Sequence, residues 1–161
     1  MDPLFEKLNS VATMLEAERE LISSGEAAVK RLEALFDGSS RNNWDVPYRK
    51  LGLPLQCALE VVVRLGPIAK PLEPYIVAEL PNSEVAARAL GALNSLAPSS
   101  VYALAMTLNA DQLVASEAAL TLVKHGQDRD PSVNRVASRS AAAQRHLETA
   151  RQRWAEADMP G

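Results

Sequence analysis

Ala58-Leu59-Glu60-Val61-Val62-Val63-Arg64-Leu65-Gly66-Pro67 is the stretch that decides the fold, because a diverged copy follows 31 residues later as Ala89-Leu90-Gly91-Ala92-Leu93-Asn94-Ser95-Leu96-Ala97-Pro98. In both copies a leucine is followed, after five residues, by Leu-(Gly/Ala)-Pro. A third segment, Ala119-Leu120-Thr121-Leu122-Val123-Lys124-His125-Gly126, repeats the Ala-Leu pair 30 residues further on. Gly25-Glu26-Ala27-Ala28-Val29-Lys30-Arg31-Leu32-Glu33 matches the segment from Gly66 more distantly, at an offset of 41. Helix-forming runs that recur at such a period predict stacked helical pairs, in which no pair can bury its apolar face alone.

The helices follow from apolar spacing and from their start and stop signals. Asp2-Pro3 reads as an N-cap and first helical residue, and Leu4, Leu8, Val11, Leu15 and Ile22 continue a helical stripe over 3–22. Ser23 with Glu26 has capping-box spacing and opens a helix over 25–37. Residues 38–52 are turn-rich and aperiodic, a long connection with at most one short helical turn. Further helices are expected over 53–65, 67–80, 83–97, 98–108 and 110–125, with Asn82 as a cap and a second capping-box spacing at Asn109–Gln112. Asp130-Pro131 starts the last, over 131–157, where Val136, Ala143, Leu147, Ala150 and Trp154 form one narrow stripe. No segment alternates with period two over strand length, so no sheet is expected.

The chain has 161 residues, 47% hydrophobic and 23% charged, a length and balance suited to one soluble domain with a sizeable core. Aromatics supply only 4%, so Leu, Val and Ala must fill that core. The formal charge of −3 argues against a duplex-binding role, which normally needs a basic excess. Residues 1–36 are acidic, with seven acids against four bases. Cys57 is the only cysteine, so an intrachain disulfide or CxxC site is excluded. Asp2 and Glu6 stand where a signal peptide carries bases, and no run of 18 apolar residues is evident, so a cytoplasmic protein without a membrane span is expected.

On Leu65-Gly66-Pro67, Leu96-Ala97-Pro98 and the preceding Ala-Leu pairs, the chain resembles a small HEAT-type or armadillo-like α-solenoid over about residues 23–126. The resemblance implies an all-α fold, a right-handed solenoid of about four antiparallel helical pairs in one domain, 1–161. Residues 1–22 and 131–157 would be its cap helices. It also implies a concave wall, lined by the second helix of each pair, that receives a partner. At about 30 residues the units are shorter than the usual ~40, and they lack the turn Asp and following Arg of strong HEAT units.

No residue set for catalysis stands out, and neither an enzymatic activity nor a cofactor nor a metal is expected. GxGxxG, GxxxxGK(S/T), HExxH and GxSxG are absent. His125 and His146 have no ligand-spaced partners and read as capping or surface histidines. Cys57, inside an apolar helix, reads as a small buried hydrophobe. Arg135, Arg139, Arg145, Arg151 and Arg153 could form a phosphate-binding stripe, but their spacing spreads them round the helix, and Glu148, Glu156 and Asp158 dilute them.

The 38–52 connection is the most suggestive segment. Arg41, Trp44, Tyr48 and Arg49 belong to the residue types that dominate interface energetics. At least one of the two rings is expected to fold back and cover a seam, with the other displayed. With Asp45, and with Glu33, Asp37 and Glu73 as an acidic stretch along the wall, these residues are the expected contact set for a protein partner. A basic toxin or effector domain is the sharpest version, which would make the chain an immunity protein. A nucleic-acid-binding HEAT-like protein, a bilin-lyase-like chaperone or enzyme for a small molecule, and a structural subunit are the competing readings.

Overall fold

In the computed structural model, which describes residues 1–157, the chain is all-α. The one β feature among the described residues is an isolated antiparallel bridge between Arg41 and Pro47. The chain divides into two compact units, the first Met1–Tyr75 and the second from Ile76 onward.

The first unit is built on α1 (Pro3–Leu8), α2 (Met14–Ser24), α3 (Glu26–Phe36) and α4 (Gly52–Leu65). A 3-10 turn at Tyr48–Lys50 precedes α4, and a 3-10 segment over Gly66–Leu72 follows it, leading into α5 (Glu73–Val77). The helix expected over 3–22 is therefore two helices. The apolar stripe runs on through Val11 and Leu15, yet both are exposed, at 74% and 58%. The Thr13 hydroxyl donates to the Lys7 carbonyl at 2.7 Å, and the Thr13 and Met14 amides turn back to the Ser10 carbonyl. These local bonds outcompete a continuous helical ladder. Ser23 forms no capping box either. Gly25, at φ +57°, joins α2 directly to α3 in a backbone conformation that costs an L side chain strain.

Helix α4 is the centre of this unit and packs against α1, α2 and α3. Its Cys57, Ala58, Leu59, Val61 and Val62 are buried, and α3 adds Leu32, Leu35 and Phe36. By length and composition alone, one 18-residue window within Gly52–Val77 is apolar enough to cross a membrane, with a mean hydropathy of 1.3 and 44% of it buried inside the fold. Glu60, Arg64, Lys70 and Glu73 break Gly52–Val77 into shorter apolar runs. The helix register breaks at Gly66, φ +67°, where α4 gives way to the 3-10 segment.

The second unit contains a 3-10 turn at Leu80–Asn82, then α6 (Glu84–Ala92), α7 (Pro98–Thr107), α8 (Gln112–Lys124), α9 (Pro131–Arg139) and α10 (Ala141–Ala157). Helix α6 packs on α8 and α8 on α10, while α7 packs on α8 and α9. Ser83, not Asn82, caps α6, its hydroxyl accepting the Ala86 amide. At the α6–α8 crossing the Thr121 hydroxyl donates to the Ala87 carbonyl at 2.7 Å, and a Cβ on Gly91 would stand 3.0 Å from the Thr121 Oγ1. Gly91 in the repeat thus marks a close approach of two helices. The long terminal helix expected over 131–157 is broken at Ser140, whose extended backbone (φ −141°) ends α9 and whose hydroxyl accepts the Ala143 amide to start α10. Asp158 lies outside the described residues.

Candidate functional site

The 38–52 loop is built from its base upward. Asp2 caps α1, accepting the Leu4 amide, and also receives the Arg31 guanidinium from α3, with Nε at 3.1 Å. One turn along α1, Glu6 accepts the Tyr48 hydroxyl at 2.6 Å. The Tyr48 ring is fully buried and meets Phe5 edge to face, centroids 5.5 Å apart. Burial, and then the Glu6 carboxylate it donates to, push the Tyr48 phenol well above its ordinary range. Tyr48 was expected to touch a partner. It is instead the anchor that ties the loop to α1.

Above this anchor the loop is closed by its own hydrogen bonds. The Tyr48 amide donates to the Ser40 carbonyl and the Asn42 amide to the Val46 carbonyl, at 3.1 and 3.0 Å. The Asn42 side-chain oxygen accepts the amides of Trp44 and Val46 at 2.9 and 3.0 Å, an Asx turn. Asp45 adopts φ +57°, a region Asp tolerates better than most residues. Arg41 donates to the Asp45 carbonyl at 3.1 Å and pairs with its carboxylate at 3.5 Å. The product is an ordered tip on which Trp44 is 85% exposed.

The carboxylates of this unit divide. Glu33 and Asp37, one turn apart near the end of α3, are both exposed. Glu33 accepts the Tyr75 hydroxyl at 3.5 Å, and Tyr75 stacks on Phe36. Asp37 accepts the Ser39 amide at 2.7 Å. The bonds from Ser39, with Arg49 nearby, hold its carboxyl below the usual range despite its place at a helix C-terminus, where the dipole disfavours an anion. The stem of Arg49 lies against Gly38, φ +84°. Glu73 departs from the expected acidic stretch: it is buried and ion-paired with Lys70, three residues before it. Its charge is already compensated and its side chain is closed to a partner.

Cys57, His125 and His146 are engaged within the fold. Cys57 is 3% exposed, and burial, with Glu18 and Glu60 adding to it, pushes its thiol up to about 12, the opposite of an activated nucleophile. His125 and His146 are half-buried rather than free on the surface. His125 Nε2 stands 3.0 Å from the Leu90 carbonyl and His146 Nδ1 3.4 Å from the Ser116 hydroxyl. Among the described residues no three His, Cys, Asp or Glu side chains converge to hold a metal. The five C-terminal arginines are divided between α9 and α10, and Arg151 is bonded to Asp128 at 2.6 Å. Arg135 and Arg139 line a groove with Tyr102 and Met106 that the sequence reading did not identify. No signal in the chain pairs those residues, because they lie some thirty positions apart.

Comparison with known proteins finds no family model that matches the chain, no similar curated protein and no similar solved structure.

Proposed function

We propose that this chain is a non-catalytic protein-binding module that engages its partner through the tip of the 38–52 loop. The observation that carries the reading is Trp44, 85% exposed on a loop already fixed by the Asn42 turn, the Arg41–Asp45 pair and the Tyr48 anchor. A large ring held in solvent is unfavourable for the free protein. A preordered loop loses little further entropy when that ring enters a pocket. Glu33 and Asp37 are exposed in the same unit, and Asp37 is held ionised, so a basic partner surface is the complementary one. Layered packing of α6, α8 and α10 supports a HEAT-like or armadillo-like helical repeat within the second unit.

In its sharpest form the module is a cytoplasmic immunity protein that covers the working surface of a basic bacterial toxin. Small size and the acidic charge of −3 favour that form. The test is co-purification from a native lysate with the full chain and with Trp44→Ala. The reading requires a stoichiometric basic protein that the wild type retains and the variant loses. Recovery of no partner, or of one held equally by Trp44→Ala, overturns it.

A further inference from the structure

A groove of about 540 Å³ lies between α7 and α9 in the second unit. One wall carries Tyr102 and Met106, one turn apart on α7 and exposed at 55% and 52%, while Val101, Leu104 and Ala105 of the same helix are buried. The side chains left in solvent are thus a Tyr and a Met, types enriched in the centres of interfaces. Val136 of α9 adds an aliphatic, half-exposed floor.

The other wall carries Arg135 and Arg139, also one turn apart and both exposed. Like charges at this spacing repel each other. Neither guanidinium has an ion-pair partner among the described residues, whereas Arg88 and Arg151 of the same unit are paired with Glu117 and Asp128. The acid at the start of α9, Asp130, is already engaged by the Ser132 amide and hydroxyl, at 3.0 and 2.6 Å. The groove therefore combines an apolar side with two uncompensated cations.

We propose that the α7–α9 groove binds an acidic peptide segment in extended form. Residues one turn apart on a helix are separated by about 5–6 Å, and alternate residues of an extended chain by about 6–7 Å. Two carboxylates in an i, i+2 relation thus reach Arg135 and Arg139 together, and an aromatic or aliphatic side chain of the segment rests on Tyr102 and Met106. A nucleic acid fits less well. The groove offers one ring for stacking, its floor is aliphatic, and the chain as a whole is acidic. This groove belongs to the second unit and the Trp44 loop to the first.

The experiment is fluorescence anisotropy on the full chain, with a short fluorescein-labelled peptide of alternating glutamates around a central tryptophan. Saturable binding that weakens with added salt is expected. The double variant Arg135→Glu/Arg139→Glu should raise Kd about tenfold or more, as loss of two exposed ion pairs with charge reversal requires. Tyr102→Ala should weaken binding by a smaller factor, and Trp44→Ala should leave it unchanged, which separates this site from the loop. Circular dichroism checks that each variant keeps its helix content. The inference is overturned if the wild type does not bind the peptide or if the double variant binds it normally. It is also overturned if a lysine-for-glutamate peptide binds as well, or if a labelled oligothymidylate binds more tightly at the same salt.

Discussion

Tyr48, at the base of the 38–52 loop, is fully buried, edge-on against Phe5 and bonded to Glu6, whereas Trp44, at the tip, is 85% exposed. Two aromatic residues in one short segment, both good interface formers by type, thus have opposite roles. The hydroxyl explains the choice. Tyr48 can be buried because α1 supplies a carboxylate acceptor at the end of its ring. Trp44 follows an Asx turn and precedes a residue in the left-handed region, a geometry that lifts it away from the body of the unit. A fixed base is what makes an exposed tip useful, since it holds the displayed ring in one place.

The contrast can be broken at the base first. Tyr48→Ala removes a buried ring and leaves Glu6 without its donor, so a loss of about 3–5 kcal/mol is expected in urea unfolding. Tyr48→Phe keeps the ring and deletes only the hydroxyl, and should cost about 1–2 kcal/mol. Between base and tip, Asn42→Ala removes the acceptor for two loop amides. A cost of about 1 kcal/mol is expected, with faster hydrogen exchange at the Trp44 and Val46 amides. At the tip itself, Trp44→Ala should change stability by no more than about 0.5 kcal/mol while abolishing partner capture. A large destabilisation by Trp44→Ala would erase the distinction.

The smallest effect concerns acid. Asp37 has its carboxyl lowered in the folded state, so its contribution is present above the unfolded value near 4 and disappears as pH falls through the lower folded value. Asp37→Asn should remove that part of the acid dependence, lowering stability slightly at neutral pH and leaving it unchanged at low pH. Urea midpoints on either side of pH 4 provide the check.

The helices were legible where a single periodic face decides them. Helices α3, α4 and α8 lie close to their expected spans, because Leu32, Leu35, Leu59, Val62 and Leu122 occupy buried positions at helical spacing. The breaks were not legible. At Asn9–Thr13 the apolar period continues through the break, and a single hydroxyl-to-carbonyl bond from Thr13 to Lys7 decides the outcome. At Ser140 one extended residue separates two helices that share a polar composition. In the loop, Trp44 and Tyr48 were identifiable by type, but which ring is buried depends on Glu6, 42 residues before Tyr48 in the chain. Glu73 was read as part of an open acidic stretch because type and position alone do not show that Lys70, three residues earlier, pairs with it in a buried site.

Cys57 offers a practical consequence. It is the only thiol in the chain, it sits on the central helix of the first unit at 3% exposure, and its high pKa keeps it protonated at neutral pH. Labelling by a disulfide reagent must then wait for that unit to open, so the labelling rate is a clock for the opening of one half of the chain. Read beside the global unfolding curve, it would reveal whether the two halves melt together or apart.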